Sequence, residues 1–318
     1  MRTIAVIIPT LNRKDKLQKC VESIKEGSLA DVIELFISVD YPPSDKYVPG
    51  YEDVCAYVEN ISGFYAVNKY FQKQNLGPDQ NYLFLEHKAE EHGYDEIIFS
   101  EDDIEFSKNG IEYIYKGLER FRNDPNIMAI CASSLMLKNG SNYNYYMAPY
   151  LSAYGYGYWV SKQKLIRAQL RQETFDDLRK DCKKLVKLFI ANKRAFWIFA
   201  LDLRRKIPAM RDETGELQEI DWSIEIIYAL NGWNSVFPVL RKSRNWGFDG
   251  SGVNSSVLNR KTNEIYIDEN THFEYKGLPT SKDCYDEWKL IERKIMPSQM
   301  EMLKAIWYVI VGYFTTKR

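Results

Sequence analysis

The residues best placed to do chemistry are Glu101, Asp102 and Asp103, three adjacent carboxylates that follow the apolar run Ile97, Ile98, Phe99 and Ser100. Neighbouring carboxylates repel one another and are costly to bury. A cluster of this kind persists where a cation or a solvated substrate needs it. In open α/β sheets, ligands collect outside the carboxyl ends of strands. Hard divalent ions take one or two carboxylates and keep positions open for phosphate oxygens. Mg2+ or Mn2+ holding a substrate phosphate is therefore the natural reading, with a solvated acidic turn as the plain alternative.

The elements that would position this triplet follow from periodicity. Residues 4–8 are a continuous apolar, β-branched run ended by Pro9, and 33–39 is a second such run ended by Asp40. Between them Leu17, Cys20, Val21 and Ile24 recur at helical spacing over 14–26. Strand, helix, strand demands a parallel pair with a right-handed crossover. The alternation continues with a turn at 75–78, a helix over 81–91, a strand over 96–100, a helix over 110–122 and a strand over 127–133. Residues 139–150, rich in Asn, Gly and Tyr, read as an exposed loop. Residues 153–161 lead into a helix starting near 162, and Trp159 there reads equally as a sugar-stacking platform or a packed core edge. A helix over 221–231, a short strand over 235–239, a glycine-rich loop over 242–256 and helices over 286–295 and 300–314 complete the chain.

Composition narrows the function. At 318 residues the chain is long enough for one large α/β domain with an elaboration, or for two small ones. A formal charge of -1 offers no general surface for nucleic acid. The five cysteines at 20, 55, 131, 182 and 284 are scattered and never spaced as a metal or redox pair. They suit a reducing compartment. Three histidines leave little room for a multi-histidine metal site. No run reaches the roughly 20 apolar residues of a membrane span, and no secretory signal opens the chain. Residues 179–206 stand apart, with ten Lys or Arg against two Asp, interleaved with Phe189, Phe196, Trp197 and Phe199.

Together these pieces resemble nucleotide-sugar glycosyltransferases of the GT-A fold, and family 2 in particular. The opening Ile4-Ala5-Val6-Ile7-Ile8-Pro9-Thr10-Leu11-Asn12-Arg13, the Ser38-Val39-Asp40 strand end and Phe99-Ser100-Glu101-Asp102-Asp103-Ile104-Glu105 carry the likeness. The Glu-Asp-Asp form, with Asp221-Trp222 and Ser243-Arg244-Asn245-Trp246-Gly247, is also similar to an inverting N-acetylglucosaminyltransferase of early complex N-glycan assembly. The likeness runs in outline from residue 3 to 275, is strong to 110 and is poor across 139–212.

The resemblance implies an α/β GT-A fold: a Rossmann-like, mixed, mainly parallel sheet flanked by helices, with a helical insertion and C-terminal helices. The expected domain is 1–275, with a nucleotide-binding half over 1–135, an acceptor half over 136–275 and a basic insertion over 173–212. A helical extension would cover 276–318. Asp103 would ligate Mn2+ or Mg2+, with His272 as a further metal or phosphate contact or simply a core or surface histidine. Glu101 and Asp102 would touch the ribose or metal-bound water. Asp40 would accept from the nucleotide base, or cap its strand end. Pro9, Asn12 and Arg13 would lie along the donor, with Arg13 near base or pyrophosphate. The glycine-rich loop, including Gly250 and Ser251, would close over the diphosphate.

An inverting transfer needs one carboxylate to deprotonate the acceptor hydroxyl as that oxygen attacks the anomeric carbon. Asp221 is the first candidate, with the helix N-cap as its structural alternative. Glu225, one turn on and on the same side, is the competitor. The expected partners are a nucleotide-diphosphate sugar, UDP favoured, and a glycan or lipid-linked glycan acceptor. A homo-oligomer is compatible with the chain, as is peripheral membrane contact through 179–206 and 305–318, which would put the protein in the cytoplasm or at the inner face of the cell membrane. The rival readings are a sugar-phosphate nucleotidyltransferase and a non-catalytic glycan-binding protein on the same fold. The first normally carries a glycine- and lysine-rich phosphate loop, which Pro9-Thr10-Leu11-Asn12-Arg13 is not.

Overall fold

The computed structural model describes residues 2–134, 142–207, 210, 218–247 and 266–315. Strands β1 (Ile4–Thr10), β2 (Ile33–Val39), β3 (Ala66–Phe71) and β4 (Glu96–Phe99) form the first half of an eight-stranded sheet. All adjacent pairs in this half are parallel, in the order β3-β2-β1-β4. β1, β2 and β4 are almost wholly buried, as expected of parallel strands covered on both faces. Helix α1 (Lys14–Lys25) turns Leu17, Cys20, Val21 and Ile24 onto the sheet, the face that its spacing specifies. α2 (Val48–Glu59), α3 (Pro78–Glu91) and α4 (Gly110–Phe121) complete the covering layers of this half.

The second half mixes directions. β8 (Tyr156–Trp159) lies antiparallel between β4 and β6 (Ile127–Cys131), and β9 (Asn234–Pro238) pairs parallel with β6. β7 (Tyr145–Ala148) closes the described edge, antiparallel to β9. Two reversals through β8 restore the direction, so β1, β2, β4, β6 and β9 all end on the same side of the sheet. The result is the mixed, mainly parallel α/β sheet that the family resemblance implies.

Helix α9 (Asp221–Asn231) ends at Gly232 in the left-handed conformation (φ 73°) and feeds directly into β9. The helix therefore runs back along its strand, and its first residue, Asp221, returns to the carboxyl side of the sheet. A second, two-stranded sheet pairs β5 (Ile104–Phe106) with β10 (Ser243–Asn245) at that same side.

One expectation is corrected, and one pair of alternatives is decided. Residues 145–148 are not exposed loop: Tyr145, Tyr146 and Ala148 are fully buried in β7. Tyr146 stacks on Phe237 at 5.5 Å, and Tyr145 meets the ring of Tyr275 edge-on at 5.0 Å. The tyrosine rings are used as apolar mass. Of the two readings of Trp159 the packed core holds: it is 1% exposed, donates its indole N–H to Glu96 at 3.0 Å and carries Lys162 Nζ 3.8 Å above its ring.

After α5 (Val160–Arg167), helices α6 (Gln172–Lys180), α7 (Cys182–Ala191) and α8 (Lys193–Asp202) occupy the basic stretch. Asp181 caps α7 by accepting from the Lys183 and Lys184 amides, and Asn192 caps α8 by accepting from Ala195. Their apolar residues Leu178, Leu185, Leu188 and Phe199 enter the main core. α10 (Ser281–Ile295), opened by a reciprocal Thr280–Asp283 capping box, and α11 (Gln299–Thr315) add Trp288, Ile291, Ala305 and Val309 to that core.

Candidate active site

The carboxylate triplet sits where β4 ends, between β1 and the β5–β10 ribbon. Thr10, the last residue of β1, donates its hydroxyl to Asp102 Oδ2 at 2.8 Å. Arg13, in the turn leading into α1, donates to Asp103 Oδ2 at 2.8 Å and to Asp102 Oδ1. One guanidinium thus spans both aspartates, a geometry its planar fork permits and a lysine could not copy. Burial works against the Arg13 charge, and the two aspartates more than restore it, holding its pKa above the ordinary value.

Arg13, with the more distant charge of Lys16, does not balance three carboxylates. Burial raises the Asp103 pKa, against the pull of Arg13, and its Oδ1 is buried without any hydrogen-bond partner. Glu101 is pushed well above the usual carboxylate range by burial and by the charges of Asp103, Asp221 and Asp102. An orphaned carboxylate oxygen in an electron-rich pocket suits a hard divalent cation. Among the described residues no group of three or more His, Cys, Asp and Glu side chains could enclose a metal by itself. Asp103 Oδ1 is the atom in this set free to contribute a ligand to such an ion.

The opposite wall is built by the 243–247 segment. β10 is held against β5 by its ladder and by Arg244, which grips Glu105 with two hydrogen bonds of 2.7 and 2.8 Å. Trp246 donates its backbone N–H to the Asp103 carbonyl at 2.9 Å and its indole N–H to Glu105 at 2.6 Å. Lys19 Nζ lies 4.0 Å over the same indole, and Lys16 donates to the Trp246 carbonyl at 2.9 Å. Gly247 then passes so close that a Cβ there would stand 2.2 Å from Asp103 Oδ2. A larger residue here would have to displace that carboxylate.

Asp221 faces the triplet from the start of α9. Its carboxyl is pushed up to about 6 by burial, partly opposed by a hydrogen bond from the Ala153 amide and by the charge of Arg194. The phenol of Tyr154 is raised to about 12 by burial and by the charges of Glu101, Asp221 and Asp103. Glu225 stands differently. It is 2% exposed, accepts from Asn192 Nδ2 at 3.0 Å and is ion-paired to Arg194. Its charge is spent in tying α9 to α8.

The other expected residues fall as follows. Pro9 and Asn12 lie on β1 and in the turn that carries Arg13. Asp40 is 5% exposed and accepts from the Tyr41, Leu76 and Gly77 amides at 2.8–2.9 Å and from Asn75 Nδ2 at 3.2 Å. A carboxylate offers about four acceptor positions, so its lone pairs are engaged in building the 75–77 turn. A nucleotide base would have to displace one of these donors. His272 is exposed, with Nδ1 3.6 Å from Glu112 and its carbonyl held by Asn109. Among the described residues no hydrogen bond or ion pair joins it to the triplet. Gly250 and Ser251 lie outside the described residues.

Sequence reasoning passed over several residues that the fold brings in. Arg194 reaches Asp221 and Glu225 from the insertion, with no local pattern to announce it. A second buried network lies just behind: Arg167 bridges Glu86 and Glu219, and Tyr158 and Tyr82 donate to Glu86 at 2.8 and 3.0 Å. Through Glu219 it fixes the segment that leads into Asp221. Thr10, by contrast, had a signal, since its hydroxyl follows directly on the first strand's apolar run.

Comparison with known proteins gives the family of the chain. Residues 5–177, more than half of the chain, match the family described as Glycosyl transferase family 2. Among solved structures, the chain is similar to the mannosyltransferase PcManGT from Pyrobaculum calidifontis in complex with GDP-Man and Mn2+, at 14% identity and a TM-score of 0.35. That alignment covers 53% of this chain and 47% of the other. It is similar also to S. aureus TarS 1-349 in complex with UDP-GlcNAc, at 14% identity and a TM-score of 0.35, over 52% and 48% of the two chains. The chain spans about half the length of these proteins. No curated protein matches it. The comparisons carry the family-2 likeness and add nothing to the narrower one with the N-glycan transferase.

Proposed function

This chain belongs to glycosyl transferase family 2, and from that premise we propose that it is an inverting, divalent-metal-dependent transferase moving a sugar from a nucleotide-diphosphate donor to a glycan or lipid-linked glycan. The observation that carries the reading is the buried, unpartnered Asp103 Oδ1 within a carboxylate triplet close enough to Asp221 for its charge to act on Glu101.

Asp103, through Oδ1, would hold Mn2+ or Mg2+ together with the donor phosphates. The bound ion would supply charge neutralisation for the departing diphosphate. Arg13 fixes Asp103 by its other oxygen and Asp102 beside it, and keeps a permanent positive charge at the floor of the donor site. Asp102, held by Thr10 and Arg13, positions this floor rather than reacting. Trp246 and Gly247 press on Asp103 from the far wall.

Asp221 takes the acceptor proton. The acceptor oxygen forms its bond to the anomeric carbon as the bond from that carbon to the diphosphate oxygen breaks, and the electron pair leaves with the diphosphate. A base with a pKa near 6 is ionised at neutral pH and still basic enough to receive a proton. Glu225, neutralised by Arg194, supports the helix instead.

UDP is the first donor nucleotide to test. Thermal-shift screening of the full chain against UDP-, GDP- and dTDP-sugars, each with Mn2+ and with a chelator, tests the assignment. A stabilisation by one nucleotide class that vanishes on chelation is expected. A folded protein indifferent to every nucleotide sugar would overturn it.

A further inference from the structure

Helix α11 carries an apolar stripe that the described chain leaves uncovered. Met300, Leu303, Trp307, Ile310 and Phe314 are between 44% and 65% exposed. Their alternating spacing of three and four residues places them on one helix face. At 1.5 Å per residue the stripe is about 21 Å long. The other face is not free: Ala305 and Val309 are buried in the main core, and α11 packs on α8. Five large apolar side chains in one continuous row are more than scattered surface hydrophobicity.

Cations border the stripe on both sides. Along one flank Lys206 donates to the Tyr308 hydroxyl at 3.0 Å, with the Arg204 guanidinium 5.0 Å above the same ring. Along the other, Tyr313 shares a cleft with Lys180, Lys183 and Lys184. Two aspartates also line that cleft, of which Asp181 is engaged in capping α7. Tyr308 and Tyr313, five residues apart, fall on opposite sides of the stripe by the helical repeat. Positive charge beside exposed Trp, Phe and Leu is the arrangement by which a helix lies in a bilayer interface, because attraction to anionic headgroups adds to apolar insertion. No helix among the described residues is long and apolar enough to cross a membrane.

We propose that α11 is a docking surface for a bilayer containing anionic lipids, lying in its plane with Trp307 at the centre of contact. The charge pattern selects this occupant over a second copy of the chain. In a twofold pair each basic flank would approach a flank of its own kind, and like charges brought together across an interface are unfavourable. The proposal stands apart from the reaction assigned above and needs no donor or acceptor.

Cosedimentation of the full chain with phosphatidylcholine vesicles, with and without phosphatidylglycerol, tests it. Binding should require the anionic lipid and weaken with salt. The double substitution Leu303→Gln/Trp307→Gln should lower partitioning at least about tenfold, since both side chains contribute insertion energy. Both are exposed, so the thermal melt should be unchanged and a folding defect distinguishable. Lys183→Glu/Lys206→Glu should weaken binding to anionic vesicles alone. Absence of vesicle binding by the intact chain, or equal binding to neutral vesicles, would overturn the proposal. So would a dimer in sedimentation velocity that the double substitution dissociates while no vesicles are bound.

Discussion

The base role proposed for Asp221 needs a carboxylate that is ionised at neutral pH yet basic enough to take a proton from a hydroxyl. Burial lifts it to about 6, while Ala153 and Arg194 keep it from rising further. The sign is definite: the base works deprotonated, so kcat should climb as pH rises through about 6 and level off above. An Asp with its usual pKa would hold the plateau well below pH 5. Asp221→Asn should abolish that acidic limb and cut kcat on the order of 10²–10⁴-fold with little change in KM, because a neutral amide cannot take the proton. Near-normal kcat in this variant would remove Asp221 from the reaction. The acidic triplet was legible from residue types alone, since three carboxylates directly after an apolar strand repel one another too strongly to persist without a cation or a substrate. The division of labour between Asp221 and Glu225 was not. Both look alike in sequence, and only the arrival of Arg194 and Asn192 from a distant helix spends one of them. Asp40 behaves the same way, since the amides that fill its oxygens come largely from residues 75–77, more than thirty positions on.

At the scale of elements, the β5–β10 ribbon and the entry to α9 hold the two halves of the site in place. Gly247→Ala would drive a methyl group against Asp103 Oδ2. A displacement of that order should lower kcat/KM about a hundredfold, with a circular-dichroism melt close to the parent's. Full activity in Gly247→Ala would show that this wall is not part of the working site. Behind α9, Arg167→Met should be costly, as it strands the buried Glu86 without its cation. Losing about 3–5 kcal/mol is expected for breaking a buried pair, measurable as a lower urea midpoint, and a change under about 1 kcal/mol would contradict the network's role. Elements with continuous apolar runs, such as β1, β2 and β4, were readable because burial on both faces leaves an unambiguous pattern. β7 was not, because Tyr145 and Tyr146 next to Asn-rich sequence resemble surface until Phe237 and Tyr275 are seen to receive them. β10 hid inside a glycine-rich stretch, since three residues are too few to show a period and its partner lies nearly 140 residues earlier.

Over the whole molecule, the sheet collects the ends of β1, β2, β4, β6 and β9 on one side, and the return of α9 along β9 adds Asp221 to that gathering. The parallel half could be anticipated from strand and helix alternation. The antiparallel insertion of β8 could not, because its glycines and tyrosines carry no directional signal. The arrangement makes one central claim: a nucleotide-binding side of the sheet completed by a divalent ion on Asp103. Isothermal calorimetry of UDP, GDP and dTDP against the purified chain, with Mn2+ or with chelator, and against Asp103→Ala, addresses it without knowledge of the acceptor. Saturable binding of one nucleotide that requires Mn2+ and is lost in Asp103→Ala, with the fold retained, is the expected result. Binding that is indifferent to both chelation and Asp103→Ala, or no binding of any of the three by the folded parent, would contradict it.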